Sequence, residues 1–229
     1  MKWPTKSSDQ QTLGEEIANT ISHGLMIPLG IFILVFFSIK ASTKQGALTT
    51  NFIVLIFSIS MIILYLMSTL FHALAFTKAQ KFFQKTDHIS IYLLIWGTFA
   101  PILLLLKELQ QPFFDLSITK GQFFFISQCI LVFCGILGKI FWFNKGKHLH
   151  VVFYVLLGWS GLLFLPELMK PHNKQILLFI LLGGAFYSLG VFFYVKDNKK
   201  YFHFIWHIFV MLGTLFHALG IYFLLNSIK

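Results

Sequence analysis

The chain has 229 residues, of which 57% are hydrophobic and 11% are charged, and its mean hydropathy is +0.77. One soluble core cannot bury so much apolar surface, so the composition excludes an ordinary soluble domain and favours the lipid bilayer as the solvent. The net charge of +10 comes from lysine alone, because the sequence contains no arginine, and the lysines lie almost wholly between the apolar runs. This distribution indicates membrane topology and argues against nucleic-acid binding.

Seven apolar runs are long enough to cross about 30 Å of hydrocarbon as helices. Because they do not alternate apolar and polar residues as barrel strands do, we predict an all-α fold, a seven-transmembrane helix bundle. The bundle forms one membrane domain over residues 21–229, after a polar cytoplasmic tail over residues 1–20. No small-residue cleavage pattern follows the first apolar run, so we expect a retained helix and not a signal peptide. The predicted spans are approximately residues 21–40, 51–71, 89–106, 122–141, 150–166, 176–195 and 205–225.

The lysines also predict an orientation. Eleven lie in the N-terminal tail and in the second, fourth and sixth connections, whereas seven lie on the other side. The positive-inside rule therefore predicts a cytoplasmic N-terminus and an outside C-terminus. The wealth of phenylalanine, isoleucine and lysine favours a bacterial source with an AT-rich genome, and hence the plasma (inner) membrane. The eleven lysines are Lys2, Lys6, Lys78, Lys81, Lys85, Lys139, Lys145, Lys147, Lys196, Lys199 and Lys200.

Polar residues stand at one end of three of the predicted helices. Ser68 and His72 lie one turn apart where the second span ends, and Asp87 precedes the third span. His203 and His207 lie four residues apart where the seventh span begins, so they share a helix face. Because successive spans alternate in direction, all these positions fall at the same end of the bundle, the cytoplasmic end in the predicted orientation.

This residue set predicts a metal site near the cytoplasmic face. Zinc favours imidazole ligands, and three protein ligands with one open position are typical of catalytic zinc. We predict His72, His203 and His207 as the ligands. Asp87 would hold a water molecule on the metal or orient a ligand imidazole, and Ser68 would bond to that water or to Asp87. The alternatives are interfacial histidines without a metal, and a haem, which a Soret band would reveal.

A second polar cluster opens the first helix. Glu16, Asn19 and His23 follow one another at offsets of three and four, so they share a face at the same end of the bundle. Glu16 would accept hydrogen bonds from neighbouring helix ends, or His23 would support the metal site; the alternative is that the cluster is simply a polar helix start. His217 lies about 15 Å deeper than His207 and is expected to form an interhelical hydrogen bond. The remaining four histidines are expected to be solvated or interfacial: His88, His148, His150 and His172.

Five short motifs follow one another along the chain. They are Glu16-Ile-Ala-Asn19-Thr-Ile-Ser-His23-Gly, Ser68-Thr-Leu-Phe-His72, Asp87-His-Ile-Ser-Ile-Tyr92 leading to Gly97-Thr-Phe-Ala-Pro101, Gly183-Gly-Ala-Phe-Tyr187-Ser-Leu-Gly190, and His203-Phe-Ile-Trp-His207. Each motif is weak alone, but in this order across seven spans they are quite specific. Through them, nearly the whole chain resembles the hemolysin III proteins, the bacterial branch of the progestin and adipoQ receptor family.

The resemblance implies a seven-helix bundle with a cytoplasmic N-terminus and a zinc ion near the cytoplasmic face. It implies metal ligands at His72, His203 and His207, with Asp87 and Ser68 as adjoining polar partners. The family belongs with the alkaline ceramidases in a wider group of membrane proteins proposed to be metal-dependent hydrolases. Roles in membrane-lipid and membrane-energy homeostasis have also been proposed for it.

Three functions remain as hypotheses. The first is zinc-dependent hydrolysis of an amide or ester bond in a membrane lipid, with Asp87 as general base and Ser68 or zinc stabilising the oxyanion. The second is a non-enzymatic sensor or homeostasis protein in which zinc is structural. The third, a pore-forming cytolysin, is disfavoured because apolar runs this long commit the chain to the bilayer from synthesis. A membrane lipid is the expected partner as substrate or ligand.

Overall fold

A computed structural model describes residues 11–115, 117–141 and 147–229 of the chain. Within these ranges the secondary structure is helical, with one isolated β-bridge and no strand. The nine α-helices of the described ranges are α1 (Leu13–Gly24), α2 (Met26–Ser42), α3 (Ala47–Ala73), α4 (Gln80–Leu105), α5 (Lys120–Phe141), α6 (Lys147–Trp159), α7 (Leu165–Leu168), α8 (Lys174–Val195) and α9 (Phe202–Ser227).

Seven segments of the described chain are long and apolar enough to cross a membrane, which confirms the all-α, seven-span prediction. Helices α1 and α2 together form the first span, and α6 and α7, joined by a 3₁₀-helix, form the fifth. The helices extend beyond most of the predicted apolar runs; the first span begins at Leu13, within the expected tail. Residues 1–10, which include Lys2 and Lys6, and Lys145 lie outside the described residues.

The first span is interrupted at Leu25, and the cause is visible in the sequence. Pro28 has no N–H group to donate to the carbonyl of Gly24 four residues earlier, and its ring crowds that carbonyl. The N–H group of Leu25 still bonds to the carbonyl of Ile21 at 3.0 Å, so the break follows directly after a complete helical turn. Helix α1 is thereby separated from α2, and it packs against α3 and α9.

Close helix contacts hold the bundle around α3. A Cβ atom added to Gly97 of α4 would lie 1.9 Å from the hydroxyl oxygen of Ser60 on α3 and 3.0 Å from the carbonyl oxygen of Ile56. Only glycine permits this approach. Helices α8 and α9 meet in the same way, because a Cβ atom on Gly183 would lie 2.9 Å from the carbonyl oxygen of Gly213. Helix α4 is therefore packed tightly on α3, and α8 on α9.

The opposite end of the bundle has its own polar contacts. Glu108, in the 3₁₀-helix Lys107–Gln110, accepts hydrogen bonds from His172 at 2.5 Å and from the amide of Asn173 at 3.1 Å. These bonds tie the connection that follows α4 to the start of α8.

Candidate metal centre

Three histidines from two helices meet at one end of the bundle. His72 lies in the last turn of α3, and His203 and His207 lie near the start of α9. One ring nitrogen of each histidine lies within 4.8 Å of a ring nitrogen of both others. His72 and His207 are buried, and His203 is partly buried. The predicted convergence of these three side chains is confirmed.

The three rings are arranged around a shared centre. Their centroids are 4.8 to 5.1 Å apart, and their planes are inclined by 59° to 69° to one another, so none of them stacks on another. In a tetrahedral zinc site with bonds of about 2.0–2.1 Å, the ligand nitrogens are roughly 3.4 Å apart. Small side-chain rotations would bring the three imidazoles to this spacing.

Asp87 and Ser68 adjoin the histidines. Asp87 lies on α4, with its carboxyl group next to the Ser68 hydroxyl and near the imidazole of His72. Ser68, one turn before His72 on α3, is buried. The five residues singled out in the sequence therefore form one cluster at one end of the bundle.

Helix α1 supplies a partner for the imidazole of His72. Its Nδ1 atom lies 2.6 Å from Oε2 of the buried Glu16. A carboxylate only accepts hydrogen bonds, so Nδ1 carries the proton, and in the neutral imidazole Nε2 then carries the lone pair. That Nε2 atom is buried and has no hydrogen-bond partner among the described residues.

The imidazole of His207 is held in a similar way. Its Nδ1 atom lies 3.1 Å from Oγ of Ser22. Because the Ser22 hydroxyl donates its one proton to the carbonyl of Asn19 at 2.9 Å, its oxygen accepts from His207. The lone pair of neutral His207 is therefore also on Nε2.

His23 supports the cluster without belonging to the three-histidine group. Its ring stacks on that of His207, with centroids 3.5 Å apart and planes inclined by 8°, and it meets the ring of Tyr65 edge to face at 4.9 Å. Its Nδ1 atom lies 2.8 Å from Oγ of Ser68. Of the two roles open for the cluster of Glu16, Asn19 and His23, direct contact with the histidine site is therefore the observed one.

Two residues near the cluster differ from their expected environment. Lys139, counted among the connecting lysines, is buried in the last turn of α5, close enough to Asp87 for a favourable charge interaction. Its position inside an apolar run was the available signal, because an intramembrane charge is costly unless paired. The interfacial assignment of His150 is wrong, since this residue is buried and its Nδ1 lies 2.8 Å from the hydroxyl of Tyr92.

The other histidines agree better with the sequence. The expected interhelical bond of His217 is confirmed, because its Nε2 atom donates to the carbonyl of Ile180 on α8 at 3.1 Å. His172 is exposed and contacts Glu108, and His88 is partly buried. The side chain of His148 lies outside the described residues.

An apolar cavity that is open at its mouth lies between α4, α6, α8 and α9. It extends along α9 from Trp206 to His217, about 16 Å at 1.5 Å per residue. Tyr194 and Trp206 line it close to the histidines, and the ring of Tyr194 is 6.2 Å from that of His203, centroid to centroid. The cavity therefore leads from the middle of the bundle toward the histidine site.

The residues present fit a zinc ion. Three neutral imidazoles are a common zinc ligand set, and His72 offers a buried Nε2 that lacks another partner among the described residues. The carboxylate and hydroxyl groups that bond to the far side of the imidazoles are typical of metal-ligating histidines.

Comparison with a family model and comparison with two relatives point to the same family. The family model described as "Haemolysin-III related" matches residues 11–218. The chain is 33% identical over 198 residues to Hemolysin-3 of Bacillus cereus, covering 86% of each chain. It is 34% identical over 196 residues to the Hemolysin-3 homolog of Bacillus subtilis (strain 168), covering 86% of this chain and 87% of that protein. The match runs through every helix that contributes to the histidine site, and the chain belongs to the haemolysin III-related family of multi-pass membrane proteins.

Proposed function

We propose that this protein is a zinc-dependent hydrolase that cleaves an amide or ester bond of a membrane lipid in membrane homeostasis. The observation that supports this function best is the position of Asp87, whose carboxyl group lies near His72, one of three convergent histidines, at the end of the bundle toward which the apolar cavity leads. A general base, a metal-binding group and a space for an acyl chain are the parts that such a reaction requires.

Each residue of the site would have a separate role in the proposed reaction. His72, His203 and His207 would hold zinc, which when bound polarises a carbonyl group and acidifies water. Asp87 would take the proton from the attacking water as general base. Ser68, which lies 2.8 Å from Nδ1 of His23 and beside Asp87, would turn its hydroxyl from Asp87 to the carbonyl oxygen as negative charge develops there.

The cavity supports a lipid as the substrate. Its lining is almost entirely apolar, and the few polar groups include Thr98 and Ser188. An acyl chain in this space would be shielded from water along its length, and its polar end would face Tyr194 and the histidines beyond it. The scissile bond would thus lie next to Asp87.

The test is the substitution Asp87→Asn in the purified full-length protein. The amide preserves the shape of the side chain but cannot take a proton from water. We expect the variant to retain most of its zinc and to lose turnover of ceramide-like and acyl-lipid substrates. Asp115→Asn, an exposed position in the connection after α4, is the matched control and should keep wild-type turnover. Absence of turnover by the wild type on a broad lipid panel would refute the proposed hydrolase function.

A structural metal is the second candidate. The three histidines join α3 to α9, so a bound ion would act as a cross-link between these two helices. In that case chelation lowers the melting temperature, while neither the wild type nor Asp87→Asn turns over any lipid. The name of the Bacillus cereus relative refers to haemolysis by that protein, so haemoglobin release from red cells is worth measuring in parallel.

A further inference from the structure

We propose that helix α1 positions the metal ligands, with Glu16 holding the imidazole of His72 and Ser22 holding that of His207, so that both present Nε2 to the metal. The inference rests on the proposed metal site and gives α1 a role beyond closing the end of the bundle. None of the three ligands lies on α1, yet its polar face contacts two of them.

The contact of Glu16 is the stronger of the two. Its oxygen lies 2.6 Å from Nδ1 of His72, and both side chains are almost completely removed from water. A charge-assisted hydrogen bond in such surroundings fixes both the ring orientation and the proton position of the imidazole. A carboxylate in this place also makes the imidazole a stronger electron-pair donor.

Ser22 acts through a neutral hydrogen bond. Its hydroxyl is committed to the carbonyl of Asn19, so its oxygen can only accept the proton of His207 Nδ1. The ring of His23 stacks on the ring of His207, and this contact further restricts rotation of the His207 imidazole. The effect of Ser22 on metal affinity should therefore be smaller than that of Glu16, because neutral bonds are weaker and the stack remains.

Glu15, the neighbour of Glu16, provides a matched comparison. It is equally buried, but it bonds to the backbone of Thr12 at 2.9 Å and to the backbone N–H of Tyr201 at 2.8 Å. Glu15 therefore caps α1 and fastens it to the start of α9. Changing Glu15 disturbs the docking of α1 without removing a contact to a ligand imidazole.

The experiment compares the wild type with Glu16→Ala, Glu16→Gln, Ser22→Ala and Glu15→Gln, all as purified full-length proteins. Zinc affinity is measured at one fixed pH by competition with a coloured chelator, and the melting temperature of the metal-free protein is recorded alongside. We expect Glu16→Ala to bind zinc about 10–100-fold more weakly. Glu16→Gln, which retains an acceptor oxygen, should lose less zinc affinity, and Ser22→Ala should lose little. Glu15→Gln should keep the zinc affinity of the wild type but melt at a lower temperature.

The visible spectrum of bound Co²⁺ distinguishes the positioning role of Glu16 from a role in helix stability alone. Co²⁺ in a tetrahedral site absorbs strongly in the visible region, and its band shape reports ligand geometry. A changed cobalt spectrum in Glu16→Ala, with the spectrum of Glu15→Gln unchanged, supports the positioning role. Wild-type zinc affinity in Glu16→Ala, or an equal loss in Glu15→Gln, overturns it. A wild type that binds neither metal refutes the proposed metal site itself, which is a separate result.

Discussion

His207 and His217 lie on the same helix, ten residues apart, and belong to different polar environments. His207 is part of the three-histidine cluster, whereas His217 lies about 15 Å deeper and bonds to the carbonyl of Ile180. One helix thus offers a metal-ligand candidate and a partly buried histidine that cannot reach the same ion.

This pair allows a controlled test of the metal site. His207→Ala removes one of three imidazoles, so zinc content per chain should fall at least tenfold. His217→Ala removes a partly buried histidine of the same helix but no ligand, and its zinc content should equal that of the wild type. Elemental analysis of the purified proteins measures both. Full occupancy in His207→Ala would remove this residue from the ligand set.

The close contact between α3 and α4 predicts a large difference between two glycine substitutions. Gly97→Ala would place a methyl group 1.9 Å from Oγ of Ser60, so the helices must separate, and we expect a loss of about 1–3 kcal/mol in stability. Gly158→Ala meets no atom within 4 Å and lies in helix α6, so it should be neutral or slightly stabilising. Thermal unfolding in one detergent compares them. Equal melting temperatures would show that the helices do not touch at Gly97.

The contacts of Glu108 predict a dependence of stability on pH at the end of the bundle away from the histidine site. Burial raises the pKa of this carboxyl group, but hydrogen bonds from Asn173 and His172 outweigh that effect, so the pKa lies below its ordinary value of 4.5. A lowered pKa in the folded state means that the ionised group stabilises the fold above the unfolded pKa. This stabilisation is lost as the pH falls through the lowered pKa that Glu108 has in the folded state.

The measurement is the difference in melting temperature between the wild type and Glu108→Gln. We expect the wild type to be the more stable at pH 7, and the difference to shrink as the pH falls below about 4.5. Titration of groups that do not contact Glu108 affects both proteins alike and cancels in the difference. A difference that stays constant down to about pH 3 would contradict the lowered pKa.

The predicted topology can be tested with fusions at the two ends. Seven spans place the ends on opposite sides of the membrane, and the lysine distribution predicts a cytoplasmic Met1 and an outside Lys229. A reporter active only in the cytoplasm should therefore work at Met1 and fail at Lys229. The reverse pattern would invert the orientation, and activity at both ends would contradict the count of seven spans.

The sequence was sufficient to predict which residues share a depth in the bundle. Alternating helix direction places His72, Asp87 and His203 at one end whatever the packing, and the structure has them there. Depth does not specify rotation about the helix axis. That Glu16 faces His72, and that Lys139 turns inward toward Asp87, depends on how the helices pack, which a run of apolar residues does not encode.

The start of the first helix was harder to predict for a related reason. Apolar length predicts only the part of a helix that lies in hydrocarbon, and α1 is amphipathic, with a polar face that packs against the site. The break at Leu25 had a local signal in Pro28, but a proline does not reveal where the preceding segment goes. Contacts of α1 with α3 and α9 supply that information.

The distribution of the three histidines along the chain has a consequence for biogenesis. One comes from α3 and two come from α9, the last span of the described chain, while their partners Glu16 and Ser22 come from the first. A ribosome that has delivered only the first six spans into the membrane has made a single one of the three imidazoles. The proposed ion could thus be held by all three ligands only after translation of α9, so insertion of the last span would be the step that completes the site.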